Sequence, residues 1–478
     1  MSPSIEAFNE AKYKALMDGL ECKEVNRSEL ERTLRIDSEF YSKSAIIISD
    51  MLRSRNHDSL TTFVNVSDGN HMGISDYFID EGVPYYRGQD AGAFFIENSS
   101  PICIDEKTFE LPVMKRSHLK KGDVILSIVG TIGSLSLVYS DKSATCSCKL
   151  AILRPKEGKN AELLTTFLSG KYGQAQITRY TRGAVQKGLI LEDMDQLVVP
   201  VFGDGIVEAI RNAIQRAYQL QEKANNCYRE AQRELVMSVG SISVPAESVT
   251  VRNISTSFYT TGRLDAEYYQ PKYEAIVQKL DTRETVLSLC NLYDKNFNPD
   301  EKQSYKYIEL ADVGQSGDIF DVDMQYGSDL PTRARRIVKS GQIIVSSVEG
   351  SLQSCALITD EYDGTLCSTG FFVLDSDYIN SETLLVLFKS ETIQALMKQR
   401  CSGTILTAIS KDELLSMPLP MIDRDVQKEI AAKVQESFAL RKQSKQLLEY
   451  AKQAVEMDIE QGENVALRWL NDKISKEV

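Results

Sequence analysis

The sequence predicts a mixed α/β protein in which two similar domains are separated by two long helices that form an antiparallel coiled coil. Three observations lead to this prediction: a motif that returns once, a strand hairpin in each copy, and a long amphipathic helix at the end of each copy. A repeat of roughly 220 residues indicates duplicated domains, because solenoids and propellers repeat over about 20 to 50 residues.

The repeat is clearest in two pairs of segments. Arg35–Tyr41 (RIDSEFY) returns as Arg263–Tyr269 (RLDAEYY), and Gly122–Val129 (GDVILSIV) returns as Gly341–Val348 (GQIIVSSV). Because both pairs keep nearly the same separation, the chain is predicted to be a tandem duplication.

The duplication sets the predicted domain boundaries. Residues 1–34 form an appended leader, and residues 35–204 and 241–424 form the two similar domains. Residues 205–240 form a central spacer helix, and residues 425–478 form a C-terminal spacer helix with a tail.

Each domain is expected to contain a hairpin followed by helical segments. In the first domain, an apolar run at 122–133 leads through a glycine turn to a second strand at 135–139, and the second domain has matching runs at 341–348 and 355–358. Helical periodicity predicts three further helices, over 5–20, 161–178 and 382–399.

The long helices are predicted from a seam of apolar and small residues that advances by three and four positions. In the central helix the seam contains Ile206, Ile210, Ala213, Ala217, Leu220, Ala224, Cys227, Ala231 and Leu235. The equivalent positions near the C-terminus are Val426, Ile430, Lys433, Ser437, Leu440, Ser444, Leu447, Ala451 and Ala454. The first seam spans about 45 Å at 1.5 Å per residue, which is typical of a spacer. An ordinary amphipathic helix on a globular core remains the alternative, because Lys433 and Ser444 interrupt the second seam.

The composition argues against a membrane protein and against bulk attraction to nucleic acid. Of 478 residues 42% are hydrophobic, but no apolar run approaches the roughly 20 residues that cross a bilayer. Nine cysteines at irregular spacings, without an export signal, indicate free thiols and a cytoplasmic location. With 55 Lys and Arg against 68 Asp and Glu the net charge is −13, so any DNA contact must come from local basic clusters.

The glycines and cysteines do not predict a nucleotide or metal site. Gly130–Gly133 is not followed by the Lys-Ser or Lys-Thr of a phosphate-binding loop, so a tight turn between strands is the favoured interpretation. Cys146 and Cys148 lack a second ligand pair at metal spacing.

Acidic pairs also favour structure over catalysis. Glu192 and Asp193 have an equivalent pair at 412–413. Ser410 and Glu413 have the spacing of a capping box, and acids in a first helical turn complement the helix dipole. The chain is therefore predicted to be non-catalytic.

Basic residues recur at equivalent places in the two copies. Arg116 and Arg335 precede the shared glycine-led strand, and further cations precede Gly183 and Gly403. Guanidinium groups suit both phosphates and guanine edges. A solvated surface is the usual explanation for any single cluster, but the recurrence favours two faces that contact DNA.

The order of these segments resembles the specificity (S) subunit of type I restriction-modification systems. The resemblance covers roughly residues 35–478 and is carried by RLDAEYYQPKY at 263–273, GDVILSIVGTIG at 122–133, RGAVQ at 182–186, and Val-Pro or Leu-Pro leading into a long helix. PYYRGQD at 84–90 is similar to an early target-recognition segment of that family, and YIELAD at 307–312 is a looser version. The second copy departs from the pattern at 403–407, where equivalents of Gln186 and Lys187 are missing.

The resemblance implies a DNA reader that has no cofactor of its own. In that family each domain is a target-recognition domain for one half of a split site on double-stranded DNA, and the paired helices are a fixed spacer. Such a subunit recruits two DNA adenine methyltransferase (M) subunits, which bind S-adenosylmethionine, and then ATP-driven restriction (R) subunits, without a membrane. A coiled-coil scaffold or adaptor of a related defence system, which no longer reads DNA, is the alternative that the acidic charge supports.

The residues predicted to contact DNA are the basic and amide side chains of these motifs. They are Arg87, Gln89, Arg116, Arg179, Arg182, Gln186 and Lys187 in the first domain, and Arg333, Arg335, Arg336, Lys398, Arg400 and Thr404 in the second. The single tryptophan, Trp469, is predicted to pack within the chain.

Overall fold

The computed structural model describes residues 9–476 except 22–23, 31–34, 99–100, 184, 241–249, 256, 320–321 and 404–406. The chain divides into two units: unit 1 contains residues 1–219 and 443–478, and unit 2 contains residues 220–442. The division falls inside the two longest helices, so each unit contains a globular module and a segment of both helices.

The strands are short. They are β1 (His57–Ser59), β2 (Val64–Asp68), β3 (Phe78–Ile79), β4 (Val83–Tyr86), β5 (Ile102–Ile104), β6 (Val124–Ser127), β7 (Leu135–Leu137), β8 (Thr145–Cys146), β9 (Leu150–Pro155), β10 (Val198–Pro200), β11 (Asn291–Tyr293), β12 (Ser304–Ile308), β13 (Met324–Tyr326), β14 (Ala334–Ile337), β15 (Ile343–Ser346), β16 (Cys355–Leu357), β17 (Leu366–Ser368) and β18 (Phe371–Asp375).

The helices differ widely in length. They are α1 (Glu10–Met17), α2 (Lys43–Ser54), α3 (Leu60–Phe63), α4 (Glu106–Phe109), α5 (Ala161–Ser169), α6 (Lys171–Tyr180), α7 (Asp204–Val239), α8 (Phe258–Thr261), α9 (Pro271–Leu280), α10 (Val286–Leu289), α11 (Ser381–Lys389), α12 (Glu391–Arg400), α13 (Lys411–Leu415), α14 (Arg424–Gln461) and α15 (Glu463–Ser475).

The duplication is visible in the strand order of the two modules. Unit 1 contains an antiparallel sheet with the order β2-β9-β6-β7, and unit 2 contains an antiparallel sheet with the order β11-β18-β15-β16. Each module adds a second sheet, β3-β5-β4-β8 in unit 1 and β13-β12-β17-β14 in unit 2. Each second sheet contains one parallel pair of neighbouring strands, β4 with β8 in unit 1 and β12 with β17 in unit 2.

The glycine-led strand of each first sheet, β6 in unit 1 and β15 in unit 2, is buried on both faces. In unit 2 one face of this strand packs against the second sheet and the other against helices. In unit 2, Ile344 packs with the second sheet, while its neighbours Ile343 and Val345 pack with the helices. All three side chains are fully buried. This alternation follows from the period of two along a strand, and it explains why the sequence shows a continuous apolar run rather than an alternating one.

The predicted hairpins are confirmed. β6 pairs with β7, and β15 pairs with β16, both antiparallel. The turn after β6 contains Gly130 at φ 86° and Gly133 at φ 91°, in the left-handed region that favours glycine. The tight-turn interpretation of this segment is therefore correct.

The prediction of one continuous helix over 161–178 is wrong, and so is the prediction of one over 382–399, because each segment forms two helices. In unit 1 the chain forms α5 and α6 with Gly170 extended between them, and in unit 2 it forms α11 and α12 around Ser390. The Ser390 hydroxyl accepts a hydrogen bond from the backbone N–H of Ile393, so a new helix begins there. Periodicity continues across both breaks because each pair of helices covers the same core. The predicted leader helix over 5–20 is shorter in the described residues, from Glu10 to Met17.

Most positions of the predicted seams are buried, but Cys227 in α7 and Val426, Lys433 and Leu440 in α14 are only partly buried. Within unit 1, Ile206, Ile210 and Ala217 of α7 are fully buried, and the buried Ser444 hydroxyl of α14 donates to the Ala217 carbonyl at 2.8 Å. Within unit 2, the buried Ser437 hydroxyl donates to the carbonyl of Ala224, also at 2.8 Å. The serines that interrupted the apolar pattern are thus part of the helix packing, since each hydroxyl reaches a neighbouring backbone.

Candidate nucleic-acid interface

The arginine of the repeated motif fixes the backbone that follows α6 in unit 1. Arg35 forms a two-pronged ion pair with Asp37, with Nε and Nη2 each 2.8 Å from a carboxylate oxygen. Its Nη1 donates to the Arg179 carbonyl at 3.3 Å, and Nη2 donates to the Thr181 carbonyl at 3.1 Å. The side chain is only 9% exposed, and the guanidinium carbon lies 4.6 Å from the Phe40 ring centre. The motif is therefore a structural clamp on the segment that enters the next loop.

The second copy of the motif repeats this arrangement in unit 2. Arg263 pairs with Asp265 at 2.7 and 2.9 Å and donates to the Cys401 carbonyl at 2.8 Å. Its guanidinium lies 4.3 Å from the Tyr268 ring centre. The same clamp therefore holds the end of α12.

Each clamp leads into a loop that is closed by a pair of backbone hydrogen bonds. In unit 1 the N–H of Arg182 donates to the Gly188 carbonyl at 2.9 Å, and the N–H of Gly188 returns a bond of 2.8 Å. In unit 2, Ser402 and Ala408 exchange bonds of 2.9 and 3.0 Å. Gly183 and Gly403 open the loops at φ 123° and 131°. The two loops therefore have the same design, although residues 184 and 404–406 lie outside the described part of the chain.

In unit 1 this loop contacts the turn that follows β6, and that turn also contacts the one that follows β4. Gly188 forms an isolated bridge with Val129 in the turn that connects β6 and β7. In the same turn, Thr131 donates its hydroxyl to the Gly88 carbonyl at 2.8 Å. We call this assembly loop edge 1; it contains the turn Arg87–Asp90, residues 128–134 and the described residues 182–183 and 185–188.

Loop edge 1 brings together five of the side chains predicted to contact DNA. They are Arg87, Gln89, Arg182, Gln186 and Lys187. Gln89, Gln186 and Lys187 are exposed, and Arg87 and Arg182 are partly exposed. The adjacent Val185 is fully exposed, which is unusual for an apolar side chain.

Acidic neighbours orient the cations of loop edge 1. The Nε of Arg87 lies 3.4 Å from a carboxylate oxygen of Asp90, and Nη2 of Arg182 lies 2.7 Å from Oδ2 of Asp193. Lys187 lies 3.1 Å from Glu39, and both side chains are mostly exposed. Burial raises the pKa of Asp193, which the positive charge of Arg182 opposes. Because these cations are partly exposed, such ion pairs are weak and an anion from outside can compete for them.

Two other predicted residues of unit 1 lie apart from loop edge 1 or beneath it. Arg116 is exposed and pairs with Asp68. Arg179 is 6% exposed; its Nε donates to the Phe40 carbonyl at 3.0 Å, and its guanidinium lies 4.3 Å from the Phe40 ring centre. Arg179 therefore supports the interior of the module, and any effect on DNA binding would pass through the loop above it.

Unit 2 forms an equivalent assembly, loop edge 2, from the turn Glu309–Asp312, residues 347–354 and the described residues 402–403 and 407–408. Ser354 donates its hydroxyl to the Leu310 carbonyl at 3.2 Å, as Thr131 does to Gly88 in unit 1. Val348 bridges Ala408, as Val129 bridges Gly188. The charge differs, because Glu309 and Glu349 lie on loop edge 2.

The predicted residues of unit 2 are less clustered than those of unit 1. Thr404 lies outside the described residues. Lys398 is exposed and lines a cavity of about 320 Å³ together with Glu349. Arg400 is nearly buried; its side chain donates to the Leu396 carbonyl at 3.3 Å, and burial lowers its pKa. Arg400 is therefore mainly an internal residue, like Arg179.

Arg333, Arg335 and Arg336 lie at or beside β14, in the second sheet of unit 2. Arg333 is exposed. Arg335 donates to the Thr332 carbonyl at 3.0 Å and to the Asn298 side chain, and Arg336 donates to the Phe371 carbonyl. The guanidinium of Arg333 is therefore the most accessible of the three.

Sequence reasoning missed Glu309 and the clamps formed by Arg35 and Arg263. The signal for the clamps was present in the repeat itself, but a repeated motif does not reveal whether its role is structural. Glu309 aligns with Arg87 in the match of 307–312 to 84–90, but basic and amide side chains alone were expected to contact DNA.

The described residues contain no group of three or more His, Cys, Asp or Glu side chains that could hold a metal ion. A cavity of about 500 Å³ in unit 1 is lined by Arg154 and Lys159, which already pair with Asp123 at 2.6 Å and Asp58 at 2.9 Å. Within the same described ranges, no helix is long and apolar enough to cross a bilayer. Trp469 packs edge-on against Tyr450 at 5.8 Å, inside unit 1.

No protein-family model and no curated protein matches the chain. Among solved structures, the S subunit of a type I restriction-modification system from M. genitalium is similar at 14% identity and a TM-score of 0.34, covering 87% of this chain and 95% of that chain. The HsdS subunit from Thermoanaerobacter tengcongensis is similar at 13% identity and a TM-score of 0.25, covering 87% and 96%. A third structure comes from work on the structural basis of complex assembly and conformational transition of the type I R-M system. It is similar at 14% identity and a TM-score of 0.26, covering 87% of this chain and 97% of that chain. The first two are S (HsdS) subunits of the family that the sequence resembles, and the third belongs to a type I R-M system.

Proposed function

We propose that the chain is the DNA-recognition subunit of a type I restriction-modification complex and that each module reads one half of a split site on double-stranded DNA. The observation that carries the proposal is the duplication of one loop edge on one two-sheet frame, with the same arginine clamp beneath each loop. A rigid frame that presents variable side chains on loops is the usual arrangement of a recognition surface.

The chemistry of loop edge 1 suits DNA. Arg87, Arg182 and Lys187 can contact phosphates, and the amides of Gln89 and Gln186 can donate to and accept from base edges. The guanidinium groups can instead contact guanine. With a net charge of −13, the isolated chain is expected to bind DNA weakly, and its partners supply much of the neutralisation of the phosphates.

We further propose that α7 and α14 pair as an antiparallel spacer between the two half-sites. The hydrogen bond from Ser444 to Ala217 in unit 1 and that from Ser437 to Ala224 in unit 2 support this pairing, since both follow one antiparallel register. The 36 residues of α7 extend about 54 Å at 1.5 Å per residue, which exceeds the roughly 34 Å of one DNA turn.

The proposed subunit does no chemistry itself. Two M subunits would carry S-adenosylmethionine and methylate adenine, and R subunits would hydrolyse ATP, so the chain needs no cofactor of its own. Its role is to place those subunits on the site.

The test is a survey of methylated sites in cells that express the chain with its M subunits, with and without deletion of the chain. A split, adenine-methylated motif that disappears on deletion supports the proposal. Capture of M subunits without any such motif would instead identify the chain as a scaffold that no longer reads DNA, the alternative that its acidic charge supports.

The role of loop edge 1 is tested by the double variant Arg182→Ala with Lys187→Ala in the assembled complex. We expect weaker DNA binding and a shallower dependence on salt, because two phosphate-facing cations are removed. The matched control removes the exposed Lys107 and Arg283, which lie outside both loop edges. Equal affinities and salt slopes for the two double variants would contradict the assignment.

A further inference from the structure

We propose that Glu309 determines a base preference of unit 2 by accepting a hydrogen bond from the N4 amino group of a cytosine, at the position that Arg87 occupies in unit 1. This inference rests on the proposed function, since it requires that loop edge 2 contacts a half-site. It names the residue and the base chemistry that distinguish the two modules.

The two positions are equivalent in backbone geometry. Arg87 follows β4 and Glu309 follows β12, the strands that pair in parallel with β8 and β17. The N–H of Arg87 donates to Asp90 Oδ2 at 2.7 Å, and the N–H of Glu309 donates to Asp312 Oδ2, also at 2.7 Å. Each turn therefore presents its first side chain from the same place on the frame.

The support beneath each turn is also equivalent. The carbonyl of the next residue, Gly88 or Leu310, accepts a hydroxyl hydrogen bond from the turn after the central strand, at 2.8 Å from Thr131 and at 3.2 Å from Ser354. A turn held at both ends loses little conformational entropy on binding. At the first position of the turn the modules therefore differ in the side chain, a guanidinium in unit 1 and a carboxylate in unit 2.

Because Glu309 carries a carboxylate, only a few groups of DNA can form a favourable contact with this side chain. The Glu309 side chain is exposed, and within the described part of the chain no Lys or Arg forms an ion pair with it. It is repelled by phosphates and by the base acceptors N7, O6 and O4. The amino groups of cytosine and adenine are the donors that remain in the major groove.

Cytosine is favoured over adenine because of the neighbouring atoms. In adenine the N6 amino group lies between two acceptors, its own N7 and the O4 of the paired thymine, whereas the N4 amino group of cytosine has an acceptor on one side only, the O6 of the paired guanine, and C5–H on the other. Glu349, partly exposed on the same loop edge, adds negative charge and further disfavours a guanine or a phosphate there.

The experiment compares the methylated motifs produced by the complete complex with wild-type chain, Glu309→Gln and the control Glu391→Gln. Glu391 is an exposed glutamate at the start of α12, outside loop edge 2. We expect Glu309→Gln to relax one cytosine position of one half-site by about tenfold, with adenine newly tolerated, since a Gln amide can pair with adenine N6 and N7. The other half-site and the control motif should be unchanged.

Three results would overturn the inference. A motif unchanged by Glu309→Gln would exclude a base contact, and a relaxed position other than cytosine would exclude the base assignment. Loss of methylation at every site, in a variant that still copurifies with the M subunits and has an unaltered circular dichroism spectrum, would assign Glu309 a structural role. If the wild-type complex produced no split motif, the proposed function itself would fail, which is a separate and recognisable outcome. Glu309→Asp, which keeps the carboxylate, should retain the cytosine preference.

Discussion

Replacement of Arg35 by methionine should loosen the loop of unit 1 without disrupting its sheets. Methionine retains much of the apolar stem but loses the clamp on the Arg179 and Thr181 carbonyls. Each of these bonds contributes about 1 kcal/mol, the contact with the Phe40 ring about 0.5 to 1, and the ion pair with the half-exposed Asp37 at most about 1. The expected loss of local stability is therefore about 3 kcal/mol.

The assay is hydrogen exchange of the two amides that close the loop, those of Arg182 and Gly188. Local opening controls the exchange of such amides, so a loss of about 3 kcal/mol should accelerate it about a hundredfold. Arg216→Met is the matched control, since Arg216 is exposed on α7 in the same unit. If the two variants exchange at rates within about threefold of each other, the clamp does not hold the loop and the reasoning is wrong.

The same clamp has a pH dependence. The hydrogen bond from Arg35 lowers the pKa of Asp37 in the folded protein. The stabilisation from the Arg35–Asp37 ion pair is therefore complete at neutral pH. It is lost as the pH falls from the ordinary carboxyl pKa of about 3.9 through the lowered pKa of Asp37. After correction for the intrinsic rate, exchange in wild-type protein should accelerate in acid by no more than about fivefold, because only the ion pair of about 1 kcal/mol is lost, and it should stay slower than in Arg35→Met, which also loses the bonds to the Arg179 and Thr181 carbonyls.

Three further predictions concern other parts of the chain. Ser444→Ala should lower the free energy of unfolding by about 1 kcal/mol in urea titrations, because it removes one buried hydrogen bond; no change would mean that the hydroxyl adds nothing to the packing. Gly183→Ala should weaken DNA binding by the complex, because the new Cβ would lie 2.2 Å from the Gln186 carbonyl oxygen, whereas Gly158→Ala, also at positive φ but facing open space, should leave binding intact; equal affinities would contradict this. Burial lowers the pKa of Lys389, so the unfolded state holds this proton more tightly and stability should rise as the pH increases from the lowered value towards about 10.4; the urea midpoints of wild type and Lys389→Met, compared from pH 7 to 10, should converge or cross, and parallel curves would refute the effect.

The strands of the two hairpins and the long helices could be predicted because their signals are local. The apolar runs that became β6 and β15 and the seam of α7 depend on periodicity alone. Ser437 and Ser444 were less predictable, because a sequence pattern scores a hydroxyl as polar whether it meets water or a neighbouring carbonyl. Their burial depends on what lies opposite, which the local sequence does not contain.

The candidate site was only partly predictable, for a related reason. Arg179 and Arg400 occur near the loops in sequence, but the structure places both guanidinium groups largely inside the modules. In the sequence, an arginine whose guanidinium donates to backbone carbonyls cannot be distinguished from an exposed arginine that binds phosphate. The match of 307–312 to 84–90 already aligned Glu309 with Arg87, but a carboxylate was not among the side chains expected to contact DNA, because phosphates repel it.

The buried serine hydroxyls restrict how α7 and α14 segments can slide along each other. A purely aliphatic contact tolerates small longitudinal shifts, whereas a hydroxyl that is displaced by part of a helical turn loses its acceptor and stays dehydrated, at a cost of about 1 to 3 kcal/mol. Because Ala217 and Ala224, like Ser437 and Ser444, stand one heptad apart, only displacements by whole heptads could restore even one of the two bonds. Insertions in these helices should therefore be tolerated in steps of seven residues rather than at any length.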